Sequence, residues 1–140
     1  MREQDNIERV RRANDRLLNH GDLESAAEFF ASEYVAHLTD EDLRGDGPDV
    51  IRGFVRQFRA AFPDLRADVE VLVANEDRVA WWRTCSATHQ GEFMGIAASG
   101  HRITWRDMVV TRFVNGKIAE EWAVSDLGAK LGTVSASQAL

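Results

Sequence analysis

The sequence contains little of what several classes of protein require. Its 140 residues include one cysteine, Cys85, which excludes an internal disulfide and a multi-cysteine zinc site. No apolar run reaches about 18 residues and the N-terminus is polar, so neither a membrane span nor a secretory signal is expected. Lys and Arg total 17 against 23 Asp and Glu, so a basic face for nucleic acid or anionic membrane is not expected. These features predict a cytoplasmic protein.

The residues that are present suffice for one hydrophobic core. Hydrophobic residues make up 44% of the chain, and a domain of this length buries roughly two-thirds of the surface that its unfolded chain exposes. The length fits a single domain, which we assign to residues 1–132. The small and polar residues 133–140 predict a flexible C-terminal tail.

The first third of the chain has the apolar periodicity of helices. Apolar residues recur at spacings of three and four over residues 7–18 and again over residues 23–34. Pro48 suits the first position of a third helix, where its missing N–H costs little, and Pro63 ends that helix. Three helices are therefore predicted before residue 64.

From Leu65 onward the apolar period changes to the alternation that is typical of strands. Asn115-Gly116 is a strong signal for a tight hairpin, because both turn positions need positive φ. The predicted strands are residues 65–71, 78–89, 103–114 and 117–126. Helices followed by an antiparallel meander predict an α+β fold with the helices on one face of the sheet.

Several segments, in the right order, resemble the SnoaL-like polyketide cyclases. They are Tyr34–His37, Ala61–Leu65, Thr88–Ile96 with Gly100–Ile103, and Asn115–Trp122 with Asp126 beyond. The resemblance covers about residues 19–131. It implies the nuclear-transport-factor-2-like cone, in which a curved antiparallel sheet packs against three N-terminal helices and encloses a pocket. It also implies a homodimer formed through the outer sheet face.

Asp126 is the candidate acid–base residue. Alternate residues of the last strand share a face, so Asp126 stands at the apolar end of the pocket if Trp122 and Val124 point inward. Desolvation there would raise the pKa of its carboxyl, which could then donate and accept the proton of an intramolecular aldol condensation. The resemblance implies this role for an aspartate here, with no metal and no cofactor. The alternative is that Asp126 caps a short helical turn over residues 127–131.

A histidine and several bulky side chains complete the predicted site. His37 matches a pocket histidine of the family and is the second predicted catalytic residue, although a surface histidine near a helix end is the alternative. Trp81 and Trp82 are adjacent on a strand and must face opposite sides. The four tryptophans suit a pocket for a flat aromatic ligand and equally suit an outer sheet face covered by a dimer partner. His89 could also bond the loop backbone through a ring nitrogen. The predicted substrate-binding residues are Trp82, Trp105, Trp122, Met94, His89 and Phe58.

We expect cofactor-independent catalysis of aldol-cyclisation type on an apolar, cyclic or polyketide-like molecule. No nucleic acid, membrane or metal ion is expected as a partner. Epoxide hydrolysis or isomerisation on the same fold is an alternative, and hydrolysis predicts that Asp107 and Asp126 both point inward, bridged by Arg83 or Arg106. A non-catalytic domain that is plugged or only stores a ligand is the third reading, and a plugged pocket falls well below the roughly 300–1,000 Å³ of ligand sites.

Overall fold

The computed structural model describes residues 2–39 and 41–139, with side chains described up to Val134. Helix α1 spans Arg2–Asn14 and continues into one π-helical turn over Asp15–Asn19. A 3₁₀ turn at Leu23–Ser25 precedes the short helix α2. The further elements are α2 (Ala26–Phe29), β1 (Phe30–His37), β2 (Asp42–Arg44), α3 (Gly47–Ala61), β3 (Arg66–Ala74), β4 (Arg78–Thr88), β5 (Arg102–Val114), β6 (Lys117–Ser125) and α4 (Leu127–Ala139).

The six strands form one curved, unclosed sheet in the order β2-β1-β6-β5-β4-β3. The predicted α+β class is confirmed. All neighbouring strands are antiparallel except β1 and β6, which pair in parallel. The sheet is therefore mixed, and the prediction of a purely antiparallel sheet is corrected at this one pair.

The helix predicted over residues 23–34 is wrong from Phe30 onward. Phe30 and Tyr34 are four residues apart, a spacing that fits a helical face and also fits one face of a strand. In the structure this segment is β1, whose backbone bonds β2 on one side and β6 on the other. Pairing along both edges satisfies the backbone of β1, and this tertiary contact outweighs the local helical pattern.

The strand and hairpin predictions for the rest of the chain are confirmed. The four predicted strands correspond to β3, β4, β5 and β6. Asn115 and Gly116 have φ values of 51° and 76°, so both turn positions are in the left-handed region that this tight hairpin requires. The hairpin fixes how β6 begins against β5.

The C-terminus differs from the prediction. Helix α4 runs from Leu127 to Ala139, so the turn predicted over 127–131 is the start of a longer helix that includes residues 133–139. Leu140 of the predicted tail lies outside the described residues, and the flexibility of the tail stays a prediction. Leu127 and Leu131 are buried in the core, which anchors the first turns of α4 beside β5. The domain boundary at residue 132 stays a prediction.

Helices and sheet enclose the hydrophobic core between them. Helix α1 packs on β3 and β4, and α3 packs on β1. The largest fully buried side chains are Trp81, Trp105, Phe29, Phe62 and Leu131. Among the described residues, no helix has the length and apolar character needed to cross a membrane.

Candidate active site

A cavity of about 110 Å³ lies between α1, α3 and the concave face of the sheet. Its wall is mostly apolar, and the polar side chains that reach it are few. The lining residues are Val10, Ala13, Asn14, Leu17, Leu18, Phe30, Tyr34, Ala36, Leu38, Leu43, Val50, Ile51, Phe54, Val55, Trp81, Arg83, Val109, Ile118, Glu121 and Ala123. An apolar cavity with a few convergent polar groups is the usual form of a small-molecule site.

Glu121 is the carboxyl group of this cavity, and both of its oxygens are hydrogen-bonded. The Tyr34 hydroxyl donates to Oε1 at 2.8 Å, and the Thr111 hydroxyl donates to Oε2 at 2.6 Å. Thr111 in turn accepts a bond of 3.0 Å from the indole Nε1 of Trp81. Because Trp81 occupies a lone pair of the Thr111 oxygen, the Thr111 proton is directed to Glu121.

The environment of Glu121 raises the pKa of its carboxyl group. Burial raises the pKa of Glu121 above its ordinary value, although the bonds from Thr111 and Tyr34 and the charge of Arg83 act in the opposite direction. Burial and the neighbouring Glu121 carboxyl raise the pKa of Tyr34 well above its ordinary value. Tyr34 therefore stays a hydrogen-bond donor, while Glu121 is the group that titrates.

A fixed cation faces the same cavity. Arg83 donates from Nε to Asp107 Oδ2 at 2.8 Å and from Nη1 to Asn14 Oδ1 at 2.9 Å. Burial opposes the charge of Arg83, but Asp107 outweighs this effect and the pKa of the guanidinium is raised. The guanidinium also lies 5.3 Å from the Trp81 ring. An ionised arginine held in place beside a titratable carboxyl can bind an oxygen that becomes negative.

Glu121 was missed as a site residue because a β-bulge in β6 reverses the expected alternation. Phe113 pairs with Ile118 and Arg112 pairs with Glu120, so Ala119 has no partner. Beyond this extra residue the inward positions are Glu121 and Ala123 rather than Trp122 and Val124. The alternation of the sequence alone carries no signal for the bulge.

Asp126 lies on the surface, so the prediction that it stands in a dry, apolar pocket is wrong. Its side chain is exposed, and Oδ1 accepts a bond of 2.8 Å from the backbone N–H of Arg106. Asp126 immediately precedes α4, and its carbonyl accepts a bond from the N–H of Lys130. The residue therefore joins the start of α4 to β5, and its catalytic role loses the burial on which it was based.

His37 lies on the convex face of the sheet and not in the cavity. Its neighbours Ala36 and Leu38 line the cavity, so the ring between them points away. Nε2 is 2.7 Å from Glu120 Oε2 and Nδ1 is 3.1 Å from Asp42 Oδ1. The bond to Glu120 raises the pKa of His37, and the bond from His37 lowers the pKa of Glu120. The pocket position predicted for His37 is wrong, since β1 is a strand whose side chains alternate.

The tryptophans divide between the two faces. Trp82 lies under the Arg106 guanidinium, 4.2 Å away, and Trp122 stacks on His37 at 5.4 Å, both on the convex face. Neither lines the cavity. The prediction that they contact the substrate is therefore wrong, because both residues occupy outward positions of their strands. Trp81 takes the inward position, as the adjacency of the two residues requires, and Trp105 is buried in the core.

The other predicted binding residues lie away from the cavity wall. Met94 is exposed in the loop between β4 and β5. His89 is fully buried and accepts a bond of 3.3 Å from the Ser99 N–H at Nδ1, which confirms the alternative of a ring that holds loop backbone. Phe58 is buried among aromatic rings of the core. Met94 and His89 belong to the segment between β4 and β5, and Phe58 belongs to α3; none of the three lines the cavity.

Two further arrangements bear on the chemistry. Asp107 points inward and binds Arg83, but Asp126 points outward, so the paired carboxylates expected for epoxide hydrolysis are not formed. Cys85 is buried as predicted, and burial raises the pKa of its thiol to about 12, which removes it as a nucleophile. In the part of the chain that the structure describes, no three His, Cys, Asp or Glu residues are grouped to hold a metal ion.

Comparison with known proteins agrees with this architecture. The sequence profile of the SnoaL-like polyketide cyclases matches residues 8–131. A candidate polyketide cyclase from Acidithiobacillus ferrooxidans superposes with a TM-score of 0.82 at 22% identity, over 97% of this chain and 96% of that one. IdmH of Streptomyces antibioticus, described as a candidate polyketide cyclase, gives 0.73 at 27% identity, over 92% and 96%. No curated protein sequence matches the chain.

A relative of higher identity has a different description. AclR of Streptomyces galilaeus, described as a candidate hydroxylase, is 33% identical with a TM-score of 0.69, over 84% of this chain and 88% of that one. The α+β fold, with its helices over a curved sheet and an apolar cavity between them, defines a nuclear-transport-factor-2-like protein. Within that class, the profile match shows that the chain belongs to the SnoaL-like polyketide cyclase family.

Proposed function

We propose that the protein is a cofactor-independent acid–base enzyme of aldol-cyclisation type, with Glu121 as the proton-transfer group. One observation carries this proposal: the Glu121 carboxyl, with its pKa raised by burial, reaches an apolar cavity beside the fixed cation of Arg83. Membership of the polyketide cyclase family supports an apolar, polyketide-like substrate. The proposal replaces Asp126 by Glu121 because Glu121 is half-buried and lines the cavity, whereas Asp126 is exposed.

The reaction follows from the positions of these two groups. A substrate carbonyl bound beside Arg83 would place its α-carbon near Glu121. The carboxylate takes the α-proton, and the guanidinium stabilises the enolate oxygen. The enolate carbon then attacks a second carbonyl of the same molecule, forming the C–C bond. The alkoxide that results takes the proton back from Glu121, so no proton or electron is gained or lost overall.

Asp107, Tyr34 and Thr111 act as positioning residues in this scheme. Asp107 and Asn14 fix the guanidinium of Arg83 from behind. Tyr34 and Thr111 hold the Glu121 carboxyl in one orientation from two sides. Fixing both reacting groups before substrate binds lowers the reorganisation that the reaction requires.

The size of the cavity favours a second candidate function, a domain that binds a small ligand without chemistry. A volume of about 110 Å³ is below the roughly 300–1,000 Å³ of most ligand sites, and an apolar cavity of roughly 150 Å³ is enough for benzene. The cavity as it stands is smaller than that, so even a single ring requires its walls to move apart slightly. A polycyclic substrate requires the half-buried side chains Leu43, Ile51 and Phe54 to move.

Exchange of α-protons separates the two candidate functions. The wild-type protein is expected to catalyse exchange of the α-protons of cyclohexanone with D₂O, measured by proton NMR against the rate in buffer. Glu121→Gln keeps the size and the hydrogen-bonding capacity of the side chain but removes the base. We expect it to lower the catalysed rate by about 100-fold or more, which is typical for loss of a positioned acid–base group.

Glu120→Gln is the matched control, because Glu120 is the adjacent residue on the opposite face of β6. Its exchange rate should equal that of the wild type. An unchanged rate in Glu121→Gln would overturn the role of Glu121. Cyclohexanone that binds to the wild type without any catalysed exchange would favour the binding domain instead.

A further inference from the structure

Three buried polar atoms of the described residues have no hydrogen-bond partner. They are Nε2 of His89, Nε1 of Trp105 and Oδ1 of Asp107. The exposed fractions of these residues are 0%, 1% and 5%, so bulk water does not reach them. Buried polar groups are nearly always paired, because an unpaired group loses its hydration without compensation. Each of these atoms has a hydrogen-bonding capacity that the described protein groups leave unused and that an ordered water or a polar group of a ligand can satisfy.

The unpaired atoms of Trp105 and Asp107 continue the polar side of the cavity along β5. Val109 lines the cavity, and Asp107 and Trp105 are the next two residues with inward side chains on the same strand. Asp107 uses Oδ2 to bind Arg83, which also lines the cavity, so Oδ1 remains as an acceptor. Trp105 lies about 7 Å further along the strand and offers an N–H donor.

Phe58 separates this region from the present cavity. Phe54 lines the cavity, and Phe58, one helical turn later on α3, has its ring 5.0 Å from that of Phe54. On its other side Phe58 lies 5.8 Å from the Trp105 ring. Phe58 is therefore the side chain that stands between Phe54 on the cavity wall and the Trp105 ring.

His89, at the inner end of the region, provides a second N–H donor besides Trp105. Because the Ser99 N–H donates to Nδ1 of His89, the proton of the neutral ring is on Nε2. The His89 and Trp105 rings lie 5.5 Å and 5.0 Å from the Phe62 ring. The region therefore presents two N–H donors and one carboxylate acceptor around buried aromatic rings.

We propose that Trp105 and Asp107 form an inner subsite of the substrate cavity, which opens when Phe58 turns aside and binds a hydroxyl group carried by an aromatic substrate. A hydroxyl is the simplest group that can accept from an indole N–H and donate to a carboxylate at once. The inference rests on the proposed function, since it assigns a second anchor to the same substrate.

Phenol and toluene test the subsite, because they are close in size and differ in the hydroxyl group. Phenol is expected to bind the wild type at least about fivefold more tightly than toluene, which corresponds to one net hydrogen bond. Phenol, unlike toluene, should shift the Nε1–H signal of Trp105 in ¹⁵N NMR spectra. Trp105→Phe should remove the preference for phenol, and Trp82→Phe, on the convex face, should retain it.

The outcomes are distinguishable. Equal affinity for the two probes, no binding of either, or an unmoved Trp105 signal would each overturn the subsite. If Trp105→Phe does not fold, the wild-type signal and the affinity ratio decide the question. Glu121→Gln is expected to keep the preference for phenol, so loss of the proposed catalysis and loss of the subsite are observed separately.

Discussion

At the scale of single residues, the site depends on the contact between Tyr34 and Glu121. The Tyr34 hydroxyl bonds Oε1 at 2.8 Å, and this bond lowers the pKa of a carboxyl that burial raises. A carboxyl with a raised pKa stabilises the fold most when protonated. Its contribution is complete below the pKa in the unfolded chain and is lost as the pH rises through the folded value.

Tyr34→Phe removes the hydroxyl and keeps the ring. The pKa of Glu121 should rise further, because one group that favours the carboxylate is gone. We therefore expect the acid limb of the pH–rate profile for cyclohexanone exchange to move to higher pH. The loss of stability with rising pH, measured by urea unfolding, should move in the same direction. A profile identical to that of the wild type would contradict the coupling between the two residues.

At the scale of elements, β4 and β5 place an ion pair inside the core. Arg83 is directly opposite Asp107 in the register of these strands, and their side chains meet at 2.8 Å. Both side chains point to the concave face, where Asn14 of α1 completes the contacts of Arg83. The pair fixes the cation of the site and is also part of the packing between helix and sheet.

Arg83→Met keeps an unbranched, flexible side chain that reaches as far as the arginine Nε, but it removes the guanidinium group and leaves Asp107 buried without its cation. Breaking a buried ion pair from one side typically costs about 3–5 kcal/mol. We expect a loss of that size in the free energy of unfolding, measured by urea denaturation at neutral pH. Arg106→Met, on the adjoining convex face, is the control and should change stability by less than about 1 kcal/mol. Equal losses in the two variants would show that the pair is not what matters.

At the scale of the whole molecule, the convex face of the sheet carries two apolar rows. One row crosses the strands through Trp122, Val110 and Ala80, and the other through Val124, Met108 and Trp82. Val124 is 57% exposed and Trp122 is 37% exposed. Contiguous exposed apolar side chains are typical of interaction surfaces. We propose that a second copy of the chain covers this face.

The cytoplasmic location of the protein stays a prediction.

Val124→Asp places a charge at the β6 end of one of the two rows, at its most exposed apolar side chain. We expect the wild type to sediment as a dimer and the variant to sediment as a monomer, in analytical ultracentrifugation at micromolar concentration. Met94→Asp is the control, because Met94 is also exposed, at 63%, but lies in the loop between β4 and β5. A wild-type monomer, or a dimer that persists in Val124→Asp, would remove the proposed interface.

Much of the architecture could be predicted from local patterns. Asn115-Gly116 predicted the hairpin because positive φ at both positions is a local property of these residues. The apolar stripe of α3 and the strands β3 to β6 follow from their periods, and the adjacency of Trp81 and Trp82 required that they face opposite sides. His89 as a ring that holds loop backbone was an alternative that the structure confirms.

Local patterns failed where pairing partners decide the outcome. Residues 30–34 have apolar spacings that suit a helix or a strand, and only the neighbours β2 and β6 make them a strand. The resemblance to the family placed His37 in the pocket, whereas the alternation of β1 turns its ring to the convex face. In β6 the unpaired Ala119 reverses the faces of every later residue, so Glu121 rather than Asp126 points into the cavity.

By itself, the sequence determined the α+β class, the family, most element boundaries and the presence of an apolar interior, since these depend on periodicity and turn chemistry within short segments. Only the tertiary structure decided which side chains meet in the cavity. Strand parity changes completely when one residue bulges, and a bulge is set by the pairing of two strands rather than by either strand alone.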